Sequence, residues 1–298
     1  MSDEISEEDL VVEEDQAEED EDEIFEEIVV NFWRTGFHDA SFGIRQLDQY
    51  RARSRQWSAA MQVRGDVTFK EKKGKKYIIG FNEEAWEESE DGTLAKKHGK
   101  LADLNSRIII KLFSELKENL GGNWAGTLEL SILESLVLTI GERVGPLPVF
   151  YIILPRYPYI IRLIRSHTRM GQRYVFPIID HRRKDPIRIF EIEKKMVALG
   201  VDFRVEDSIT EKEVAKVDGK LLDFGGKWII HIKDKTLKNN RVFRQVVVLF
   251  ACLCKYIEDV NENIKELHEQ VTKKKYKFNP DHHERTMFLN PRIARRKA

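Results

Sequence analysis

The fold is decided by residues 187–254, in which IRIFEIE (187–193), VDFRV (201–205), EVAKV (213–217) and KWIIHI (227–232) precede the apolar stretch VVVLFACLC (246–254). The four short runs are rich in β-branched and aromatic side chains, and turn residues separate them: Gly200, Asp207-Ser208, Asp218-Gly219 and Gly225-Gly226. This pattern predicts successive antiparallel strands, although a generic α+β domain would show similar alternation. A helix over 242–260 would have no polar face at its centre and has to be enclosed. We therefore expect a sheet wrapped around a central helix, with these side chains buried: Val246, Val247, Phe250, Leu253 and Cys254.

Residues 195–205 (KMVALGVDFRV), together with Pro186-Ile187 before them and VAKV at 214–217 after them, resemble the repeated hairpin of the LURP-one-related proteins. These proteins belong with the tubby C-terminal domain and the phospholipid scramblases. In this superfamily a strand ends in a Lys-hydrophobic-hydrophobic-small-hydrophobic turn and pairs with a strand that carries an aromatic residue. A later strand reads hydrophobic, Ala or Gly, Lys, hydrophobic. Residues 159–165 and 173–180 resemble the preceding hairpin, and 242–260 resemble the helix that threads the superfamily's barrel.

The resemblance covers about residues 155–262 and implies an α+β fold, an antiparallel tubby-like β-barrel around a central hydrophobic helix. Its motifs are patterns of hydrophobicity without a catalytic signature, so they imply a fold more than an activity. The superfamily's barrel consists of two similar halves, whereas residues before about 150 show no comparable series of hairpins. We expect the N-terminal half to be replaced or strongly diverged.

Charge is distributed very unevenly along the 298 residues, although the formal net charge is only −1. Residues 1–30 contain sixteen Asp or Glu and no Lys or Arg, so the remaining chain has a net charge of +15. Low hydrophobicity and self-repulsion predict that the acidic tail is disordered, at least as far as about Asp22. The apolar cluster from Ile24 to Trp33 could dock on the body, for example as a short helix.

Four regions follow from these patterns: an acidic disordered tail (1–30), a mixed α/β N-terminal region (31–145), a barrel half with its central helix (146–265) and a basic C-terminal arm (266–298). Within the second region, 61–69 and 76–81 read as two strands joined by a Lys-Gly loop, and 83–100 as a charged loop. Apolar residues between Leu101 and Leu120 recur at helical spacing and predict an amphipathic helix. Residues 127–140 read as a second helix, but their Leu and Ile content would also suit strands.

The composition also bears on location. No basic segment followed by an apolar run occurs near the N-terminus, so we predict no secretory signal. A spanning helix needs about twenty apolar residues, and the longest uninterrupted run, 246–254, has nine. Cys252 and Cys254 lie two apart on a predicted helix and suit neither a disulfide nor a metal site. These features indicate an intracellular, cytoplasmic protein whose membrane contact could only be peripheral.

Positive charge is concentrated in two places and predicts an anion-binding surface. The first is an arginine-rich cluster that we predict to bind anions: Arg162, Arg165, Arg169, Arg173, Arg182, Arg183, Lys184 and Arg188. The second is the basic arm that follows Thr272. Arginine forks suit phosphate oxygens because two parallel donors meet two acceptors. The alternative is a solvated face, or one that is neutralised within the molecule by the acidic tail.

Other site motifs are weak. The scramblases' proposed calcium loop would fall near 218–226, where Asp218 and Asp223 are opposed by two lysines, and calcium needs several oxygen ligands. Residues 281–284 (DHHE) are adjacent in an extended arm and lack the spacing of metal ligands. Ser166, His167 and Asp180 suggest a triad, but no nucleophile elbow is present. The glycine pairs lack a phosphate-loop sequence. We therefore predict no catalytic residue, no metal, no cofactor and no enzymatic activity.

Two functions from different classes remain, besides an unassigned hydrolase. The first is a non-enzymatic tubby-like binding or adaptor protein that recognises anionic ligands such as phosphorylated lipid headgroups, with an anionic membrane surface or a protein as partner. The alternative is a nucleic-acid or ribonucleoprotein-associated protein that grips phosphates with the basic cluster and arm. Nucleic-acid binders usually interleave exposed aromatic residues, and the basic arm offers only Tyr276 and Phe278. We therefore favour the first.

Overall fold

The computed structural model describes residues 23–32, 61–71, 76–82, 86–88, 94–96, 108–114, 123–142, 145–168, 171–181, 184–197, 200–220, 226–275, 277–280 and 284–285. Its strands are β1 (Glu26–Phe32), β2 (Met61–Phe69), β3 (Lys76–Asn82), β4 (Trp86–Glu88), β5 (Leu94–Lys96), β6 (Ile109–Ser114), β7 (Asn123–Ser131), β8 (Val149–Ile153), β9 (Ile161–Thr168), β10 (Gly171–Ile179), β11 (Ile187–Val197), β12 (Gly200–Asp207), β13 (Lys212–Lys220) and β14 (Lys227–Ile232). The helices are α1 (Ile132–Glu142), α2 (Arg241–Cys254) and α3 (Ile257–Thr272).

Twelve strands form one closed antiparallel barrel, in the order β1-β14-β13-β12-β11-β10-β9-β8-β7-β6-β3-β2. β4 and β5 pair separately as a two-stranded sheet. Strands from both sides of residue 146 belong to the same barrel, so the N-terminal region completes it. Closure pairs each of these twelve strands on both sides. The expectation of an antiparallel barrel accompanied by a helix is confirmed.

The register places the strand ends at two rims of the barrel. We call one rim the Ile209 end, because the β12–β13 turn that contains Ile209 lies there. Glu26 pairs with Ile232 at this end, and Ile179 pairs with Ile187. We call the other rim the α3 end. Val197 pairs with Gly200 there, and the start of α3 bonds to β10 through Gln172 and Glu258.

The largest core cluster joins α2 to strands from many parts of the barrel. Residues 246–253 are fully buried, whereas Cys254, which was expected to be buried with them, is half-buried. Near the start of α2, the Phe243 ring lies 5.0 Å from Phe190. Farther along, the Phe250 ring lies 5.0 Å from Phe203. Apolar side chains on the inner strand faces therefore pack against this helix.

A turn at Lys255 and Tyr256 separates α2 from α3, so the single helix predicted over 242–260 is wrong in its extent. Asn240 caps the start of α2 by accepting a hydrogen bond from the Phe243 amide at 3.1 Å. Beyond the turn, α3 has apolar residues on one stripe and charged residues elsewhere, as a helix on the outside of a barrel requires. No described helix has the length and apolar character that crossing a membrane would require.

The predicted strands at 187–193, 201–205, 213–217 and 227–232 are confirmed as parts of β11 to β14, and those at 61–69 and 76–81 as β2 and β3. Residues 159–165 and 173–180 contribute to the paired strands β9 and β10. The predicted turn at Asp218-Gly219 is wrong, because both residues lie within β13. A Cβ at Gly219 would come 2.6 Å from the Trp228 ring, so glycine allows that ring to pack on the strand.

The helix predicted at 101–120 is also wrong within the described residues of this segment, 108–114, because 109–114 form β6. Ile109 to Phe113 are buried on both faces of this strand, which removes the alternation that marks a half-buried strand. The second predicted helix divides at Ser131 into β7 and α1. The loop predicted at 83–100 contains β4 and β5, and the tail boundary at residue 30 falls inside β1, which replaces the short helix suggested there.

Candidate functional site

The structure describes five members of the predicted anion-binding cluster and does not bring them together: Arg162, Arg165, Arg173, Lys184 and Arg188. Arg169, Arg182 and Arg183 lie outside the described residues. Successive side chains of a strand point to opposite faces. Arg162 and Arg165 are three apart on β9, so one lies on the outer face and the other on the inner face. The sequence cluster is therefore divided between faces and rims.

Arg162 lies on the outer face and is paired with an acid from α1. Its Nε lies 3.2 Å from the Glu134 carboxylate. The Tyr151 hydroxyl donates to the same carboxylate at 2.6 Å. Burial and the hydrogen bond to Glu134 raise the pKa of Tyr151, so the phenol keeps its proton. This network fastens α1 to β8 and β9.

Arg173 also lies on the outer face, within a network of ion pairs on the barrel wall. Its guanidinium lies 2.9 Å from Glu191 and 3.2 Å from Glu193 on the neighbouring strand β11. Arg204 on β12 pairs with Glu206. Acids of the barrel itself therefore neutralise this part of the wall. Residues 1–22 of the acidic tail, which the alternative interpretation invoked, lie outside the described residues.

Arg188 lies on the inner face at the Ile209 end. Two of its nitrogens donate to Asp207 Oδ2 at 2.8 and 2.5 Å, and its guanidinium stacks 4.9 Å from the Phe190 ring centroid. Burial alone would raise the pKa of Asp207, but hydrogen bonds from Arg188 and the turn amides outweigh burial and lower it. Asp207 is almost fully buried. The pair closes this rim of the barrel.

Arg165 differs from these three arginines because its hydrogen bonds to described residues end on uncharged oxygens. Its Nη1 donates to the Pro146 carbonyl at 3.0 Å and to Asn261 Oδ1 at 2.9 Å. The side chain is half-buried at the α3 end. It therefore keeps more of its positive charge uncompensated than Arg162, Arg173 or Arg188.

The sequence analysis missed an exposed apolar surface at the Ile209 end. Ile187 and Ile189 on the outer face of β11 are 51% and 39% exposed, and Ile209 in the following turn is 66% exposed. Pro177 pairs with Ile189, and Ile179 with Ile187, so the apolar face continues onto β10. The Ser208 amide donates to the Ile189 carbonyl at 2.9 Å, which holds the Ile209 turn beside β11. We call the surface formed by Pro177, Ile179, Ile187, Ile189 and Ile209 the isoleucine surface.

Alternation of apolar side chains along β11 could have revealed part of this surface. IRIFEIE has isoleucines at 187 and 189 that share a face with Glu191, whereas Phe190 and Ile192 face the core. Pairing with β10 and the position of the turn are not readable from that segment alone. Exposed contiguous apolar patches on soluble domains mark interaction sites more often than scattered single residues do.

Exposed charges surround the isoleucine surface at the same rim. Lys184 precedes β11 by three residues, and Lys212 starts β13 directly after the Ile209 turn. Among the described residues of this end, exposed cations outnumber exposed acids. The cations are Lys70, Arg156, Lys184, Lys212, Lys235 and Arg241, and the acids are Glu23, Glu71, Asp185 and Glu211. The rim thus combines protruding apolar side chains with exposed lysines, of which Lys184 and Lys212 each have an exposed acid, Asp185 and Glu211, as chain neighbour.

The other residues that were considered as metal ligands or reactive groups are Glu284, Cys252 and Cys254. Within the described part of the chain, no group of three or more His, Cys, Asp or Glu could hold a metal ion. Glu284, from the DHHE segment, accepts backbone hydrogen bonds at the start of α1. Burial raises the pKa of the Cys252 thiol, which keeps it protonated and unreactive. Cys252 and Cys254 are both free.

Comparisons with known proteins give no relative. No protein-family model matches this chain, and neither a curated protein nor a solved structure matches it significantly.

Proposed function

We propose that this protein is a non-enzymatic adaptor that attaches peripherally to an anionic membrane surface through the Ile209 end of its barrel. The observation that carries the proposal is the isoleucine surface, in which three isoleucines are between 39% and 66% exposed beside lysines of the same rim. The ligands would be anionic lipid headgroups, including phosphorylated ones. This is the same ligand class that the sequence indicated, but the contact surface is a different one.

The physical basis is the combination of apolar and cationic side chains on one rim of the barrel. Apolar side chains gain free energy when they leave water for the interfacial region of a bilayer, and basic residues near an anionic surface each add about 1 kcal/mol. A rim formed by several hairpin connections meets a flat surface at several points. Ile209 lies at the tip of one such connection, and Lys184 lies in another.

The proposed fold assignment is a tubby-like barrel with α2 as its central helix. Contacts at both ends of the helix support this arrangement. Arg244 donates to Glu26 at 3.0 Å at the Ile209 end, whereas Tyr256 packs 5.0 Å from Phe81 near the opposite rim. A barrel filled by a helix leaves little interior volume for a ligand, which favours binding at a rim. A closed twelve-stranded barrel accompanied by a buried apolar helix supports this assignment.

Vesicle co-sedimentation of the full chain tests the proposal. Vesicles of phosphatidylcholine alone are compared with vesicles that also contain phosphatidylserine or a phosphoinositide. We expect binding to the anionic vesicles, and a loss of at least about tenfold in affinity for the Ile187→Ser/Ile209→Ser variant, because two apolar contacts with the bilayer are removed. Lys184→Glu should reduce binding mainly at low salt.

The matched control is Val137→Ser/Ile140→Ser, which changes two exposed apolar residues on α1 that do not belong to the isoleucine surface. This variant should bind like the unmodified protein. Equal binding by both double variants would refute the proposed surface. Binding of RNA or DNA in the same assay without binding to any vesicle would instead support the nucleic-acid alternative.

A further inference from the structure

A cleft of about 380 Å³ lies at the α3 end, on the opposite rim from the isoleucine surface. Its walls come from the loop after α1, from β9 and β10, and from one side of α3. Arg165 and Gln172 contribute from the strands, and Asn261, Lys265 and His268 contribute from α3. Ligand pockets in proteins commonly have volumes from about 300 to 1,000 Å³, so the cleft can hold a small organic molecule.

Arg165 is oriented in this cleft by two uncharged partners. Both of its side-chain hydrogen bonds to described residues use Nη1, which donates to Pro146 and Asn261. Guanidinium has five N–H donors in a fixed planar fork. The N–H groups on Nε and Nη2 can therefore donate to another acceptor, and the bonds of Nη1 already hold them in position. Asn261 is buried, which limits the motion of the side chain that positions the fork.

The acids of the cleft have cationic or amide partners of their own. Glu258 accepts from Gln172 at 2.9 Å and lies 3.4 Å from Lys194. Burial alone would raise the pKa of Glu258, but hydrogen bonds and the Lys194 charge lower it, so Glu258 is ionised and paired. Glu262 lies 3.9 Å from Lys265. Among the described residues, these pairs leave Arg165 without a carboxylate partner.

We propose that this cleft binds a small organic oxyanion, a carboxylate or a phosphate ester, through the fork of Arg165. The second nitrogen edge of the fork would meet two oxygens of the ligand, which is the geometry that guanidinium groups favour. Lys265 and His268 line the same cleft and offer further hydrogen-bond donors to such a ligand. The site is independent of membrane attachment, since it lies at the opposite rim and takes a soluble ligand.

Calorimetric titration of the full chain tests this proposal with three probes: gluconate, glucose 6-phosphate and uncharged glucose. We expect millimolar or tighter binding of at least one anion and none of glucose, and the anion that binds identifies the oxyanion class. Arg165→Gln should weaken that binding by about tenfold or more, because a charge-assisted hydrogen bond is lost. Arg165→Lys should weaken it less, since the charge remains.

Lys265→Glu serves as a second variant, because Lys265 is more than half exposed and we expect its replacement to leave the fold intact. It should weaken anion binding by severalfold. Lys273→Ala is the matched control, since Lys273 pairs with Glu269 near the end of α3 and does not line the cleft. The proposal is overturned if neither anion binds the unmodified protein, or if Lys265→Glu and a folded Arg165→Gln bind as the unmodified protein does. Vesicle binding is unaffected by either result.

Discussion

The carboxylate of Glu284 accepts the backbone N–H of Ile132 at 2.5 Å, although 152 positions separate the two residues. It also accepts the N–H of Leu133 at 3.1 Å. These amides belong to the first turn of α1 and have no partner within the helix. A negative side chain at this position also interacts favourably with the helix dipole. The C-terminal segment therefore caps a helix that the chain formed much earlier.

We predict that Glu284→Ala lowers the free energy of unfolding by about 0.5–2 kcal/mol, as the loss of a helix cap does. Urea denaturation followed by circular dichroism would measure the change. Glu262→Ala is the control, because Glu262 is mostly exposed and its ion pair with Lys265 is long, at 3.9 Å. Equal stabilities of the two variants would show that the Glu284 contact contributes nothing.

Phe250 contributes a large buried ring to the core on α2. It is fully buried, and it packs against Tyr174 at 5.5 Å and Phe203 at 5.0 Å. Phe250→Ala should reduce the free energy of unfolding by roughly 3–5 kcal/mol, because burial is lost and a cavity remains. Thermal or urea unfolding measures this. Ile209→Ala, at a position that is 66% exposed, should change stability by no more than about 0.5 kcal/mol. A loss at Phe250 as small as that at Ile209 would contradict the described packing.

Lys111 predicts a pH dependence of stability. Burial lowers its pKa to about 8, although the negative charge of Glu129 acts in the opposite direction. In the unfolded chain a lysine titrates near pH 10.4. Between these values the unfolded state binds more protons, so stability rises with pH. The contribution of Lys111 is complete above about pH 10.4 and is lost as the pH falls through about 8.

The measurement compares the unmodified protein with Lys111→Met from pH 7 to pH 10.5. The unmodified protein should gain up to roughly 3 kcal/mol of stability relative to the variant over this range. Other groups titrate in both proteins, so the difference between them isolates Lys111. Parallel curves would mean that the lysine has the same pKa folded and unfolded.

The acidic tail should weaken binding of the protein to anions. Residues 1–22, which lie outside the described residues, are rich in Asp and Glu, whereas residues 31–298 have a net charge of +15. Deleting residues 1–22 should raise the affinity for anionic vesicles, mainly at low salt, because the Debye length is about 10 Å at 0.1 M. Co-sedimentation at two salt concentrations measures the effect. An affinity that the deletion leaves unchanged at both would indicate a solubilising or partner-recruiting tail.

The sequence by itself determined the antiparallel strands from β11 to β14. Their β-branched residues and turn signals are local, and local patterns suffice where a strand has one buried and one solvated face. The same reasoning failed at β6, because Ile109 to Phe113 are buried on both faces and the alternation disappears. Leucines and isoleucines are frequent in residues 101–120, so some of them fall at helical spacing even though 109–114 form a strand.

Only the tertiary structure decided which basic residues are neutralised and which surface is exposed. The sequence placed Arg162, Arg165, Arg173 and Arg188 in one cluster, but strand alternation sends them to different faces. Their partners, including Glu134 and Asp207, come from other elements that barrel closure brings alongside. The isoleucine surface likewise exists because β10, β11 and the Ile209 turn are neighbours in the sheet. The sequence states the charge and hydrophobicity of each residue. The register of strands that are distant along the chain determines which of these groups meet.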